Sequence, residues 1–559
     1  MVDYFKALKT IVQSPKSRAV DIRWLEALPP GDYMAAQDVV LSHLEKFLAD
    51  DQPLDQAALD ALMAIDERCS QNVVALTDQY VHSTSLPFEV DDRLWNSVCR
   101  YYTLLAQAYQ RFLNRYQEDA SYLPHDLPQL LLNILDCRGC LLKWHYFRYQ
   151  TMEEGGWLRL HQIYRLAERE GCEKLPLWRH RNRGESTIEA SYLQVLMLGT
   201  LSPSDMLKHE IEMVVSWIAN WSGMLAMSNV YDPSRHLFYL DLEEDKGGRR
   251  TRKLEPVAHY RYWDTDAMVA KIARAHVEMQ QGKVPAELPL TRGVRLPDCQ
   301  PLLEYLLAEW SRTGYQRQRR AEGRKDVSKA SHIVDGLEHV CQHIKNVAYA
   351  RRKGRAADRL TQDQVQNFSN SAFLHLDGEA SPLHGTTAEK WTFVNESKYG
   401  YGAVVHAGQN PWLRLGRLVS FYDGQDHQHA LVGVVRNIKH LPDDRRYVGI
   451  EVLSRKSVHV TLRNLDERTS APILATDDIF LAATLTQRGN FPFSALYLPK
   501  DEARNTPSTL LVPALEYIAA GTFELRSDPY VYQVRLGRVI EQKDDWICVE
   551  ARMLGNPKP

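Results

Sequence analysis

An amide, a hydroxyl and a glycine stand at fixed offsets in Asn395-x-Ser397-x-x-Gly400, directly after the apolar run Trp391-Thr-Phe-Val. The run reads as a short strand and the polar residues as the turn that ends it. Such a turn sets side-chain donors and acceptors at one end of a β-sheet, where a small polar ligand can be gripped. Glycine there lets backbone approach closely. The same residues also serve turns with no ligand, because Asn and Ser bond to nearby backbone.

Arginines are the second source of chemistry. A guanidinium is planar, permanently charged and matched to phosphate as a bidentate donor. One Arg-rich segment holds Arg319, Arg320 and Arg324, with Arg320 and Arg324 in Arg-x-x-x-Arg spacing. A second holds Arg351, Arg355 and Arg359, which form two overlapping pairs of that spacing. The first leads into a strand expected at Ser331–Leu337. The second follows a helix expected over Glu338–Arg352, with Val340, Ile344 and Val347 on one face. The first is favoured because an extended lead-in meets a first strand there. The second then reads as a solvated helix end, and both stay open.

In order, the Arg-x-x-x-Arg lead-in, the Asn-x-Ser-x-x-Gly turn and the strands Leu415-Gly-Arg-Leu-Val, Leu431-Val-Gly-Val-Val-Arg-Asn-Ile and Val448-Gly-Ile-Glu-Val-Leu resemble the PilZ family of cyclic-di-GMP receptors. The resemblance lies in the C-terminal half. It implies a small β-barrel that binds cyclic-di-GMP through Arg319, Arg320 and Arg324 (or Arg351, Arg355 and Arg359), with Asn395, Ser397 and Gly400 at the barrel lip. It implies a cytoplasmic bacterial second-messenger effector, not an enzyme, that signals to a partner protein of motility, pilus or surface-attachment machinery. Binding would order the lead-in against the barrel and alter how barrel and helical region pack. A PilZ-like interaction scaffold without nucleotide, and an enzyme with a catalytic helical region regulated by the barrel, are the alternatives.

Other chemistry-bearing residues read as structural. Cys137-Arg-Gly-Cys140 and His145 lack further zinc ligands at usable spacing, and no metal or cofactor is expected. His209-Glu210 lacks the second His of a zinc-protease helix. The basic tract Lys246–Lys253 reads as an exposed loop beside Glu243, Glu244 and Asp245. Trp144, Trp157, Trp217 and Trp221 read as packing anchors.

The elements that must position these groups follow from pattern and length. The 559 residues, 44% hydrophobic and 25% charged, describe a multidomain globular chain. A formal net charge of −3 argues against a general nucleic-acid binder. Eight dispersed cysteines make no disulfide scaffold. No membrane span and no secretory signal are expected. Helical periodicity dominates the first half: Val40, Leu44, Phe47 and Leu48 share a face behind Asp32, a candidate N-cap. After residue 314 short alternating strands take over.

The expected fold is multidomain α+β: a helical domain at 1–170, a mixed, mainly helical domain at 171–313, a PilZ-like β-barrel at 314–466 with a helical insertion near 338–388, and a second small β-barrel-like domain at 467–559. A short echo, Leu413-Arg-Leu-Gly-Arg-Leu against Val534-Arg-Leu-Gly-Arg-Val, suggests tandem barrels.

Overall fold

The computed structural model describes residues 21–49, 54–83, 86–119, 121–122, 125–180, 184–252, 254–285, 288, 296–313, 324–352, 389–423, 426–441, 443, 445–465, 491–504, 506–527 and 529–555. The chain divides into two compact units, Met1–Arg319 and Arg320–Pro559.

The first unit is built on helices. They are α1 (Tyr33–Ala49), α2 (Gln56–His82), α3 (Phe88–Glu118), α4 (Leu127–Tyr146), α5 (Gly156–Arg169), α6 (Ile188–Gly199), α7 (Lys208–Trp221), α8 (Asp266–Gln280) and α9 (Leu296–Trp310). Strands β1 (Leu177–Trp178) and β2 (Glu185–Ser186) form a small ribbon, and β3 (Phe238–Asp241) pairs between β4 (Arg249–Arg250) and β5 (Tyr260–Trp263).

Local chemistry sets the helix starts. The carboxylates of Asp32 and Asp55 accept the backbone N–H of Ala35 and Ala58, at 3.0 and 2.9 Å. On α3, Leu94, Val98, Tyr101, Leu105, Tyr109, Phe112 and Tyr116 recur every three or four residues and are buried in one core. The tract at 246–253 departs from the exposed loop expected of it. Arg249 and Arg250 are half-buried in β4, and Arg250 donates to the Glu309 and Ser311 carbonyls at 2.9 and 2.6 Å. Asp245 explains the anchoring: its carboxylate accepts from the N–H groups of Trp157 and Leu158 at the start of α5 (3.0 and 3.2 Å).

The second unit holds β6 (Lys325–Asp335), α10 (Leu337–Arg352), β7 (Glu389–Ser397), β8 (Gly400–His406), β9 (Leu418–Asp423), β10 (Asp426–Leu441), β11 (Arg445–Ser454), β12 (Val458–Asn464), β13 (Phe493–Leu498), β14 (Thr509–Pro513), β15 (Thr522–Ser527), β16 (Tyr530–Gln542) and β17 (Trp546–Met553). Two closed barrels result, in the orders β10-β11-β8-β7-β6-β9 and β12-β13-β14-β17-β16-β15. Numbered along the chain, the two orders are the same, so the barrels share one topology. Strand β12 closes the second barrel from upstream of residue 467.

The echo between 413–418 and 534–539 does not reflect that equivalence. Gly416 lies in the turn before β9, at φ 76°, whereas Gly537 lies inside β16, which corresponds to β10. The counterpart of the irregularity between Leu536 and Val539 is the bulge between Val435 and Asn437.

Each barrel fills with alternate residues. Phe393, Tyr401 and Phe421 pack ring to ring inside the first, beside Ala403, Val435, Val448 and Ile450. Val460, Leu525, Val534 and Val549 lie in the core of the second.

Candidate ligand-binding site

Strand β7 begins with its aromatic residues inward, Trp391 and Phe393 being buried. Simple alternation would then send Asn395 inward as well. The ladder intervenes: Phe393 pairs with Ala403 but Asn395 pairs with Gly402, so Val394 is one residue extra. Tyr401, Ala403 and Val405 of β8 are buried, so Gly402 sits at an outward position. The bulge therefore delivers Asn395 to the outer face of the barrel.

The site assembles on that face. Asn395 pairs across to Gly402, Gly402 to Gly449, and Gly449 to Asn437. The two adjacent glycines leave a floor without side chains. A Cβ at Gly402 would lie 2.5 Å from Asn395 Oδ1 and against the Tyr447 hydroxyl, so only glycine permits this approach. Tyr447 lies on the outward face of β11, its neighbour Val448 being buried. Its hydroxyl donates to Asn395 Oδ1 at 3.3 Å and accepts a hydrogen bond from Arg324 Nη1.

Arg324 is held there because β6 starts at the next residue, with Lys325 opposite Glu396 and Asp326 opposite Asn395. Lys329 pairs with Glu396 at 2.6 Å. Ser397 Oγ donates to the Gly400 carbonyl at 3.3 Å, which closes the β7–β8 turn. Basic groups crowd that turn. Arg455 donates to the Lys398 carbonyl at 3.0 Å. Arg504, from the second barrel, lies 4.0 Å from the Tyr399 ring centroid and 3.4 Å from Glu451. The arrangement presents cations, an amide, a hydroxyl and aromatic rings around a glycine floor, the chemistry that a phosphorylated, base-bearing ligand requires.

Of the residues proposed from sequence, Arg324, Asn395, Ser397 and Gly400 thus cluster on one lip. Arg319, Arg320, Arg355 and Arg359 lie outside the described residues. Arg351 lies in the last turn of α10, with its side chain outside them as well. Tyr447, Gly402, Gly449 and Arg504 were missed. Tyr447 had a visible signal, since it precedes an alternating run whose inward residues are Val448, Ile450 and Val452.

A second polar constellation, also missed, lies inside the helical unit. Asp66, 2% exposed, is met by Arg179 Nη1 at 2.5 Å, His180 Nε2 at 3.1 Å and the donating hydroxyl of Tyr109 at 2.8 Å. Arg179 Nε also reaches Asp136 at 3.0 Å. Burial pushes the Asp66 carboxyl up, but Arg179 and His180 outweigh it and hold it well below the usual range. Cys137 borders this cluster, its Sγ 3.5 Å from Arg179 Nη2. Burial raises that thiol far above its ordinary value, so the Cys-x-x-Cys pair packs in a helix next to a structural ion network. Among the described residues no helix is long and apolar enough to cross a membrane.

Comparison with known proteins bears on the helical unit. Residues 19–233 match the family described as "Cyclic-di-GMP receptor FimW, N-terminal domain". Over 185 residues the chain is 26% identical to the Cyclic-di-GMP receptor FimW of Pseudomonas aeruginosa, a stretch covering 32% of this chain and 30% of that relative. The match thus spans less than a third of the relative's length and lies outside the barrel that carries the PilZ resemblance. No solved structure matches the chain.

Proposed function

We propose that the protein is a cytoplasmic cyclic-di-GMP effector, not an enzyme, that binds the nucleotide on its first barrel and signals to a partner protein. Arg324, with Arg319 and Arg320 from the same lead-in, takes the phosphates. Asn395 and Ser397 take guanine edges, and Gly400 sets the turn. The observation that carries this reading is the outward turn of Asn395 at the Val394 bulge, which sets it beside Arg324 over a glycine floor. The similarity of residues 19–233 to the N-terminal domain of a cyclic-di-GMP receptor supports the effector part of this reading. Motility, pilus function and surface attachment are the processes in which such an effector is placed.

Calorimetry of the full chain with cyclic-di-GMP tests the reading. Saturable binding is expected, weakened at least about tenfold by Arg324→Ala, because a charge-assisted hydrogen bond contributes about 1.5–3 kcal/mol. One observation favours a second reading, a PilZ-like scaffold without nucleotide: Arg324 and Asn395 both already engage Tyr447. A flat wild-type titration selects the scaffold.

A further inference from the structure

The outer surface of the second barrel concentrates positive charge that the nucleotide site does not use. Arg463, Arg526, Arg535, Arg538 and Arg552 stand on the adjoining strands β12, β15, β16 and β17. The neighbours of Arg463, Arg526, Arg535 and Arg552, namely Leu462, Leu525, Val534, Leu536 and Ala551, are buried, so those guanidinium groups face outward, and Arg538 is itself exposed. The side chains of Arg463, Arg526, Arg538 and Arg552 are 51%, 60%, 79% and 71% exposed.

Two carboxylates answer these charges. Glu524 lies 3.1 Å from Arg463 and 3.7 Å from Arg526, and Glu550 lies 3.7 Å from Arg538 and 3.9 Å from Arg552. Arg535 has no carboxylate partner among the described residues. It sits directly across the ladder from Arg552. Like charges in that position oppose strand pairing, and the carboxylate beside Arg552, Glu550, is shared with Arg538. In a chain whose net charge is −3, such a local excess points outward, to a partner.

We propose that this face docks an acidic segment of a partner protein; the role as the signalling surface rests on the effector reading above. Two features favour a polypeptide over a nucleic acid. Glu524 and Glu550 are interleaved among the arginines, where a uniformly charged phosphate backbone meets repulsion at each carboxylate. Exposed apolar side chains, Ile540 and Leu554, stand on the same strands or directly after them and suit the mixed contacts of a protein interface.

The test uses the full chain and a fluorescent peptide in which Glu and Asp alternate with Leu. A single-stranded oligonucleotide of equal length is the competing ligand. Wild type is expected to bind the peptide in a salt-sensitive manner. Arg535→Glu/Arg552→Glu is expected to weaken binding about tenfold or more, and Arg535→Gln to do so by a smaller factor without reversing any charge. Arg535→Gln is also expected to melt no lower than wild type, because it removes the like-charge pair. No peptide binding, equal peptide binding by the double variant, or tighter binding of the oligonucleotide than of the peptide each overturns the proposal. Cyclic-di-GMP titration of the double variant is expected to match wild type. A flat nucleotide titration of wild type fails the effector reading alone and leaves the peptide result to decide the docking face.

Discussion

Asn395 reaches the barrel surface because Val394 is one residue more than its ladder accommodates, and Tyr447 waits there for it. The Tyr447 hydroxyl accepts from Arg324 and donates to Asn395. A ligand that bonds to Arg324 and Asn395 must displace it. Tyr447→Phe is therefore expected to leave cyclic-di-GMP affinity unchanged or raised, whereas Asn395→Ala lowers it about tenfold. Titration of both variants decides, and a Phe variant that binds as poorly as the Ala variant makes Tyr447 a ligand group instead. In the helical unit, Arg179 pairs with both Asp66 and Asp136. Arg179→Ala leaves Asp66 charged and buried, at a cost of about 3–5 kcal/mol, readable in urea unfolding followed by circular dichroism. Because Asp66 is held below its ordinary range, its contribution is fully present above about pH 4 and is lost as acid takes the pH lower. The acid limb of the stability curve is expected to flatten in Asp66→Asn, and an unchanged limb refutes the assignment.

At the scale of elements, α10 packs Leu337, Val340, Cys341 and Ile344 against Leu418 and Val432 of the first barrel and Leu496 of the second. His343 lies on this helix, its Nδ1 2.9 Å from Ser420 Oγ and its ring edge-on to Tyr422. Burial lowers its pKa to about 4. Charging it is unfavourable in the folded unit, so the stability it confers is complete above the ordinary pKa of 6.5 and is lost as the pH falls from 6.5 toward 4, by at most about 3 kcal/mol. Melting temperatures of wild type and His343→Gln across that interval are expected to diverge in slope; parallel slopes refute the claim. The helix itself was legible in sequence, as were most strands, because apolar spacing reports directly on which side faces a core. The bulge was not, since one surplus residue leaves the composition of β7 unaltered and shows only in its register with β8. Nor was the Tyr447 contact, which joins residues 52 and 123 positions apart. The Asp66 cluster gathers α2, α3, α4 and the β1–β2 ribbon, and no local pattern announces it. The echo around Gly416 and Gly537 pointed to two barrels but matched non-equivalent segments, because a bulge and a turn can use the same short motif.

On the scale of the whole barrel unit, the two barrels behave as one body only if their seam is strong. Trp546 is fully buried in it and donates Nε1–H to the Gly416 carbonyl at 2.9 Å. Arg417 bridges Asp335 and Asp545 at 2.6 and 2.8 Å. Arg436 bridges Glu451, at 2.8 Å, and Glu541. Burial works against the Arg436 charge, but bonds and charge from Glu541 and Glu451 overcome it and raise its pKa. Arg504 extends the seam to Tyr399, in the turn that borders the proposed nucleotide site. A ligand at that turn thus stabilises both barrels as long as the seam holds, by about 2.7 kcal/mol at a hundredfold excess over Kd. Trp546→Ala removes the central anchor at a cost of about 3–5 kcal/mol and is expected to uncouple the barrels. Hydrogen exchange followed on β16 and β17 reads this out. Saturating cyclic-di-GMP should slow exchange there in wild type, while in Trp546→Ala the slowing should be confined to the first barrel. If β16 and β17 exchange at the same rate with and without nucleotide in wild type, although calorimetry shows the nucleotide bound, then the seam transmits nothing and the second barrel receives its signal by another route.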